Sequence, residues 1–472
     1  MNLNQTLQEK YPHLEVSVLK LSEVQKDNES KRIDSEFFKK EYFDAMETMQ
    51  LNQVEYLGDN MKFNSRYSQP KYDETSKIKV INSQYIRNEY IDYENAKSGY
   101  GKIVPKESVL INATGVGTLG RVFINILDFD FSIDSHINVI VVKNKTYLNP
   151  YFLAIFLQSY YGQIQIIRYY SGTSGQIEIY PRDFNYFKIP IFPMEFQLEI
   201  QNLVKDSHKA LEESKELYKK AEEILYLELG LDPKNPLQSL LDSKTNNPTN
   251  SPNISIHTLK ESFLKTGRLD SEYYQSKYED IEKFIKSYPN GYDSFSSIIN
   301  NKDTNFTPKN NENYSYIELA NIGNNGNISE PISDLGKNLP TRARRIVSKG
   351  DVIISSIEGS LSSCALITQE FDKHLVSTGF FVLNSKLLNG ETLLVMFKSQ
   401  IFQEYLKKFP SGTILCATNK EELSKILIPK IDSTTQEKIA KYIQESFNLR
   451  KKSKQLLDNA KIKVEEQIQG KI

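Results

Sequence analysis

Residues 193–229 read PMEFQLEIQNLVKDSHKALEESKELYKKAEEILYLEL, and this stretch decides how the rest of the chain is divided. Pro193 suits a first helical position, no glycine or proline interrupts residues 194–229, and Gly230 with Pro233 supplies a stop. The spacing predicts one long helix of roughly 50 Å, at ~1.5 Å per residue. The chain carries this helix twice. Residues 431–468, IDSTTQEKIAKYIQESFNLRKKSKQLLDNAKIKVEEQI, align with it at a constant shift that takes Gln197 to Gln436. Ser433 and Gln436 have capping-box spacing, which predicts the start of the second helix there. On the same shift Val204, Leu211, Tyr218 and Leu225 match Ile443, Arg450, Leu457 and Val464. Between them Ile200, Ser207, Ser214 and Ala221 match Ile439, Ser446, Ser453 and Ala460. Steps of seven, and of three or four, place both sets on one face of each helix. Small side chains interleaved with apolar ones let two such faces approach closely. The helices are therefore expected to pair through Ile200, Val204, Leu211, Tyr218, Leu225, Ile439, Ile443, Leu457 and Val464. The alternative is that each packs on its own domain, but a domain-packed helix rarely exceeds about 20 residues.

The duplication reaches beyond the helices. Arg32-Ile33-Asp34-Ser35-Glu36-Phe37-Phe38 returns as Arg268-Leu269-Asp270-Ser271-Glu272-Tyr273-Tyr274, and each copy leads into an amphipathic stretch, to about Gln50 and about Tyr288. β-Branched and aromatic runs bounded by turn residues then predict strands in matched order. Residues 78–86 parallel 316–323, 102–114 parallel 345–357, and 135–142 parallel 377–384. Each copy continues with a helical segment, 151–160 or 392–406, then Ser171-Gly172-Thr173 or Ser411-Gly412-Thr413. A last strand ends in Ile189-Pro190 or Ile428-Pro429, and the long helix begins. The mixture of strands and helices predicts a mixed α/β chain built from two similar halves. Residues 230–253, rich in Asn, Pro, Ser and Thr in their latter part, read as a flexible linker between them. A period this long is a domain duplication, since solenoid repeats run about 20 to 50 residues.

At 472 residues the chain has room for about three domain-sized units. Its 39% hydrophobic and 25% charged residues are those of an ordinary soluble protein. Two cysteines, Cys364 and Cys416, build neither a disulfide framework nor a thiolate zinc site. There is no basic segment followed by an apolar run at the N-terminus and no run of membrane-spanning length, so a cytoplasmic chain is expected. The net charge of −1 is unlike that of a freestanding nucleic-acid binder. Any DNA-binding surface must be local, or partners must supply part of the charge.

Catalytic signatures are set aside one by one. Gly115-Val116-Gly117-Thr118-Leu119-Gly120 fits GxGxxG, which suggests a dinucleotide or S-adenosylmethionine site only when a helix follows. Here RVFINILDFDF follows and alternates like a strand, and the second copy, Glu358-Gly359-Ser360-Leu361-Ser362-Ser363, loses two glycines. A tight turn between strands is the expected structure. The five histidines, His13, His136, His208, His257 and His374, show no metal-ligand spacing. No phosphate loop, GxSxG elbow or HExxH is present, so neither a catalytic residue nor a metal ligand is nominated.

Two copies of a unit ending in Ser-Gly-Thr, a strand, Ile-Pro and a Gln-x-x-Ile that opens a long helix resemble the specificity subunit of Type I restriction–modification systems. The matching pairs are Gln197 with Ile200 and Gln436 with Ile439. Gly117-Thr118-Leu119-Gly120 and Gly359-Ser360-Leu361 are similar to the strand-turn-strand inside each target recognition domain of that family. The resemblance implies target recognition domains at residues 1–192 and 254–431, spacer helices at 193–229 and 432–472, and the linker at 230–253. Each domain would read one half of a bipartite site in double-stranded DNA. The two helices would run antiparallel and set the unread spacer; a ~50 Å rod spans about 15 base pairs. The subunit itself would be non-catalytic and hold no cofactor. It would recruit two modification (methyltransferase) subunits, which bind S-adenosylmethionine and methylate adenine, and restriction subunits that use ATP and Mg; no membrane is involved.

Candidate DNA contacts are nominated by side-chain chemistry, since Arg pairs bidentately with guanine and Ser, Thr and Asn reach base edges or phosphates. In the first half these are Arg66, Tyr67, Arg87, Arg121, Arg168, Ser171, Thr173 and Ser174. In the second they are Lys309, Arg342, Arg344, Arg345, Ser411, Thr413, Asn419 and Lys420. Ordinary solvated surface groups are the alternative for each. Two other functions stay open at this point: the specificity subunit of a methyltransferase-only or other restriction system, and a duplicated protein-interaction scaffold with no DNA role.

Overall fold

The computed structural model describes residues 3–16, 18–28, 31–172, 175–242, 256–323, 325–412 and 416–471. The chain forms two compact units, Met1–Glu212 with Arg450–Ile472 and Glu213–Leu449. Both long helices are present, α1 (Met194–Glu228) and α2 (Ser433–Ile468). The first unit takes the beginning of α1 and the end of α2, and the second unit takes the remainder.

Inside the first unit α1 and α2 are antiparallel neighbours. Glu199 pairs with Lys463 at 2.7 Å, and further along α1 the Ser207 hydroxyl donates to the Ser453 carbonyl at 2.8 Å. Inside the second unit the Ser446 hydroxyl donates to the Ser214 carbonyl at 2.7 Å, and Thr435 donates to the Glu228 carboxylate at 2.8 Å. The serines of the repeat therefore do the same task twice, each hydroxyl replacing water at the partner helix's backbone where a larger side chain would hold the helices apart. Around them Ile200, Val204, Leu211, Leu225, Ile439, Ile443, Leu457 and Val464 are buried, with Tyr218 partly so. Both packings weighed from the sequence occur together. Ile200, Val204, Leu457 and Val464 also join the first unit's core, and Leu225, Ile439 and Ile443 the second's.

The helix ends show a correction. Asp432, not Ser433, caps α2: its carboxylate accepts from the backbone N–H of Thr434 at 2.9 Å and of Thr435 at 3.3 Å. Gln436 is turned away from a capping box by its buried bonds to the backbone of Leu387, Asn389 and Ile431. α1 stops at Gly230, whose φ of +75° closes a turn in which Leu231 N–H reaches the Tyr226 carbonyl at 2.8 Å.

The two units repeat one strand order. In the first, a four-stranded sheet runs Met61–Arg66, Ile137–Val142, Val109–Asn112, Val122–Ile124. The second matches it with Ile299–Asn301, Phe380–Ser385, Val352–Ser355, Cys364–Leu366. A second sheet in each unit holds a parallel pair, Lys79–Ile81 beside Phe131–Ile133 and Asn313–Ile317 beside Leu375–Ser377. The units differ at its edge. Ala343–Ile346 forms a full strand there, whereas in the first unit a single bridge, Ile103 with Ser132, occupies the corresponding place. Short antiparallel pairs, Val54–Tyr56 with Lys188–Pro190 and Tyr292–Ser294 with Leu427–Pro429, close each unit where the Ile-Pro strand meets its long helix.

The helical segment 151–160 is the helix Pro150–Gln158, which a further helix, Tyr160–Tyr169, follows; the segment 392–406 is itself two helices, Gly390–Lys398 and Gln400–Leu406. The breaks fall at Ser159 and Ser399, whose hydroxyls donate to the carbonyls three residues back and whose backbones are extended. Within residues 230–253, Pro236–Asp242 is a helix that buries Leu240 in the second unit's core; residues 243–253 lie outside the described residues. No helix among the described residues is long and apolar enough to cross a membrane.

Candidate nucleic-acid interface

The repeated motifs resolve into two anchoring devices. Gln197 is fully buried; its Nε2 donates to the carbonyls of Tyr147 and Phe192 at 3.0 and 2.8 Å, and its Oε1 accepts from Asn149 N–H at 2.7 Å. Gln436 does the same with the Leu387 and Ile431 carbonyls and Asn389 N–H, at 3.0, 2.9 and 2.9 Å. Asn149 and Asn389 in turn cap the helices Pro150–Gln158 and Gly390–Lys398. The Gln of each Gln-x-x-Ile thus fixes the start of a long helix to the body of its own unit.

The second device uses the matched Arg-x-Asp. Arg32 forks onto Asp34 at 2.7 Å and donates through Nη1 to the carbonyls of Arg168 and Tyr170, at 3.1 and 2.8 Å. Arg268 forks onto Asp270 and reaches the carbonyls of Phe409 and Pro410, at 3.2 and 2.8 Å. Those carbonyls immediately precede Ser171 and Ser411, so each Arg holds the entry of a Ser-Gly loop. The Arg32 hydrogen bond, followed by desolvation that opposes it and by the charge of Arg32, leaves the Asp34 carboxyl below its ordinary range.

Three candidate contacts are committed within the first unit, two of them, Tyr67 and Arg168, buried. Tyr67 is buried under Phe63, with Lys102 4.7 Å from its ring centre. Arg168 is 4% exposed and lies 3.8 Å from the Tyr42 ring centre and 4.0 Å from that of Phe37. Its Nε and Nη1 have no hydrogen-bond partner, so the aromatic faces carry the charge. Arg66 pairs with Glu178 and donates to the Ile179 carbonyl, bracing the strand Met61–Arg66 against the returning loop. These three hold the unit together. The sequence signal for this cage is the aromatic run Phe37-Phe38 and Tyr42-Phe43, all four rings of which lie within about 6 Å of the Arg168 guanidinium.

Other candidates face solvent. Ser171 is half-buried and bridges Glu178; Ser411 is exposed and bridges Ala417. Lys309 is committed to Glu312 at 2.7 Å, Lys420 to Asp303, and Asn419 caps Lys420–Ser424 by accepting from Glu422 N–H at 2.9 Å. Thr173, Ser174 and Thr413 lie outside the described residues. A bulge between Ala343 and Arg345 interrupts the edge strand of the second unit. There Arg342 is exposed with no side-chain partner among the described residues, Arg344 donates to the Thr341 carbonyl at 2.6 Å, and Arg345 turns inward to the Phe380 carbonyl. Burial pulls the Arg345 guanidinium below its ordinary pKa.

In the first unit Arg87 and Arg121 converge. Arg87 Nη1 lies 3.2 Å and Arg121 Nη1 3.3 Å from the same oxygen, the Ile86 carbonyl. Arg121 Nη2 also donates to the Gly117 carbonyl at 2.7 Å, which ties Arg121 to the glycine turn, while Arg87 Nη1 donates to the Gln84 carbonyl of its own loop at 2.5 Å. That turn joins strand to strand, with Gly115, Gly117 and Gly120 all at positive φ; no helix follows it.

Among known proteins, residues 44–223 match the family model of the Type I restriction modification DNA specificity domain. That segment holds both four-stranded sheets of the first unit and most of α1, and the match supports the resemblance to Type I specificity subunits carried by the repeated motifs. More particularly, the chain is 29% identical over 129 residues to the Type I restriction enzyme HindI specificity subunit of Haemophilus influenzae. The matched segment spans 28% of that relative's length and 26% of this chain. A Type I restriction–modification S subunit from M. genitalium aligns over 88% of this chain and 95% of its own, at 13% identity and a TM-score of 0.41. The HsdS subunit from Thermoanaerobacter tengcongensis aligns over 89% and 97%, at 14% identity and a TM-score of 0.27. At these scores the repeated strand order, not the superposition, defines the fold.

Proposed function

We propose that this chain is the DNA sequence-recognition subunit of a Type I restriction–modification complex. Each unit reads one half of a bipartite site in double-stranded DNA, and the paired helices α1 and α2 set the length of the unread spacer. The observation that carries this reading is the specificity-domain match over residues 44–223, set in one half of a chain whose other half repeats the same strand order and the same anchoring residues. The near-neutral charge of −1 fits a reader whose phosphate contacts are shared with partners. Two modification subunits bring S-adenosylmethionine and methylate adenine, restriction subunits bring ATP and Mg, and the assembly works in the cytoplasm. This chain supplies positioning rather than chemistry.

The test is selection of random duplexes by the chain co-purified with the modification subunits encoded beside it. Enrichment of two short motifs at a fixed separation is the expected result. Failure to enrich any sequence, with the complex assembled, refutes the reading.

A further inference from the structure

Resting on that reading, we infer that Arg87 and Arg121, with the glycine turn at residues 115–120, form a clamp for one phosphodiester of the DNA backbone, present in the first unit alone. Two guanidinium groups sharing a single carbonyl oxygen repel each other. Arg87 Nη1 also donates to the Gln84 carbonyl at 2.5 Å, and neither Arg87 nor Arg121 forms an ion pair among the described residues, so only carbonyl oxygens contact the two groups directly. An arriving phosphate offsets that repulsion, and it can accept from both forks. The charge of Glu89 acts on Arg121 in the opposite sense to that of Arg87, without a bond to either arginine. Burial, and after it the charge of Arg87, already pulls the Arg121 guanidinium below its ordinary pKa.

The site is held in advance. Arg87 N–H closes onto the Tyr90 carbonyl at 2.9 Å, and Ile86 bridges Ile91. Asn88 accepts from Val122 N–H at 2.9 Å, which fastens this loop to the strand that leaves the glycine turn. The turn is fixed at its other side by Gly120 N–H on the Asn112 carbonyl and by Gln163 on the Gly120 carbonyl, both at 2.9 Å. Gly117 faces open space and Val116 is 68% exposed, so a sugar–phosphate chain can approach the backbone closely. In the second unit the arginine positions are taken by Gly323 and Ser363, and the matching turn carries an exposed Glu358. The clamp is therefore not repeated. A phosphate contact fixes register without reading sequence, so losing it should weaken all duplexes alike.

The experiment measures binding of the assembled complex to its target and to an unrelated duplex across a salt series. Wild type is compared with R87Q/R121Q and R87K/R121K. The clamp predicts that the glutamine variant loses affinity for both duplexes by the same factor and that its log–log salt slope falls by about 1, while the methylated motif stays the same. The lysine variant keeps most of the slope, because it keeps the charge. An altered half-site in the glutamine variant would assign these residues to base reading and overturn the clamp. An unchanged slope would also overturn it, and equal loss in both variants would reduce the arginines to loop supports. Titration with free ATP separates the two phosphate sources: saturable binding that the glutamine variant loses would reassign the site to a nucleotide. If the wild-type complex selects no sequence, the specificity reading fails and the clamp falls with it.

Discussion

Replacing Gln197 by alanine should unfasten α1 from its unit at a cost set by the three bonds of that side chain. Asn149 N–H loses its acceptor, and the carbonyls of Phe192 and Tyr147 lose their donor. Phe192 is 6% exposed and Asn149 3%, so neither recovers a partner from water; Tyr147, at 38%, does. Two stranded buried groups at roughly 1–3 kcal/mol each give a loss of about 3 kcal/mol. For a unit of this size that lowers the melting temperature by about 6–12 °C. Gln436→Ala should cost less, about 2 kcal/mol, because Asn389 is only half-buried and its N–H, like the carbonyl of the exposed Leu387, can be rehydrated, which leaves the Ile431 carbonyl as the one stranded group. Gln197→Glu is the finer probe. At neutral pH it points a buried carboxylate at two carbonyls, and burial raises its pKa above that of the unfolded chain. Its deficit against wild type should therefore shrink as pH falls and the acid becomes a donor. Calorimetry of the full chain, with amide exchange at Asn149 and Asn389 to assign each transition, gives the numbers. A loss below about 0.5 kcal/mol in Gln197→Ala would refute the claim that this side chain is the joint.

Three further outcomes are expected from the same geometry. Asp34 has a folded pKa below its unfolded value, so the stability it adds is complete at neutral pH and is lost as pH falls through the folded pKa; the stability gap between wild type and Asp34→Asn should close in acid unfolding curves, and a constant gap would contradict it. Ser207→Ala should cost about 1 kcal/mol through its bond to Ser453, whereas Ser207→Val should cost about 1–3 kcal/mol more by forcing the helices apart, and equal melting temperatures would count against close approach. Four residues inserted after Ala210 and four after Leu449 add ~6 Å and a ~40° turn to each helix, close to the rise of two base pairs and the rotation of one, so the spacer should lengthen by one or two base pairs with both half-sites unchanged. An unchanged spacer would show that the helices are not the ruler.

The helix pair and the duplication were legible because they are periodic. Heptad spacing in 193–229 and its return at 431–468 placed the paired residues, and repeated motif order placed the strands. Side-chain commitments were not legible in this way. Arg66, Arg168 and Arg345 look like any surface arginine in a sequence, yet a carboxylate and a strand carbonyl hold the half-buried Arg66 and Arg345, and a cage of rings holds Arg168 inside. Ser433 and Gln436 had the spacing of a capping box, but a tertiary demand for the Gln436 amide won and Asp432 took over the cap. The break at Ser399 is not legible because the apolar pattern continues across it while the backbone does not, and the helix Tyr160–Tyr169 lies beyond the segment 151–160 that the pattern marks. The Arg-x-Asp repeat was visible without a role, since the carbonyls it grips lie more than a hundred residues away.

The most direct test of the account is single-molecule mapping of methylated adenine in a host carrying this gene and its neighbours, set against a deletion of the gene alone. Two half-sites at a fixed separation, methylated with the gene and unmethylated without it, are the predicted result. An adenine methylation pattern that the deletion leaves unchanged, in cells shown to express the chain with its modification subunits, would contradict its role as the reader of that site.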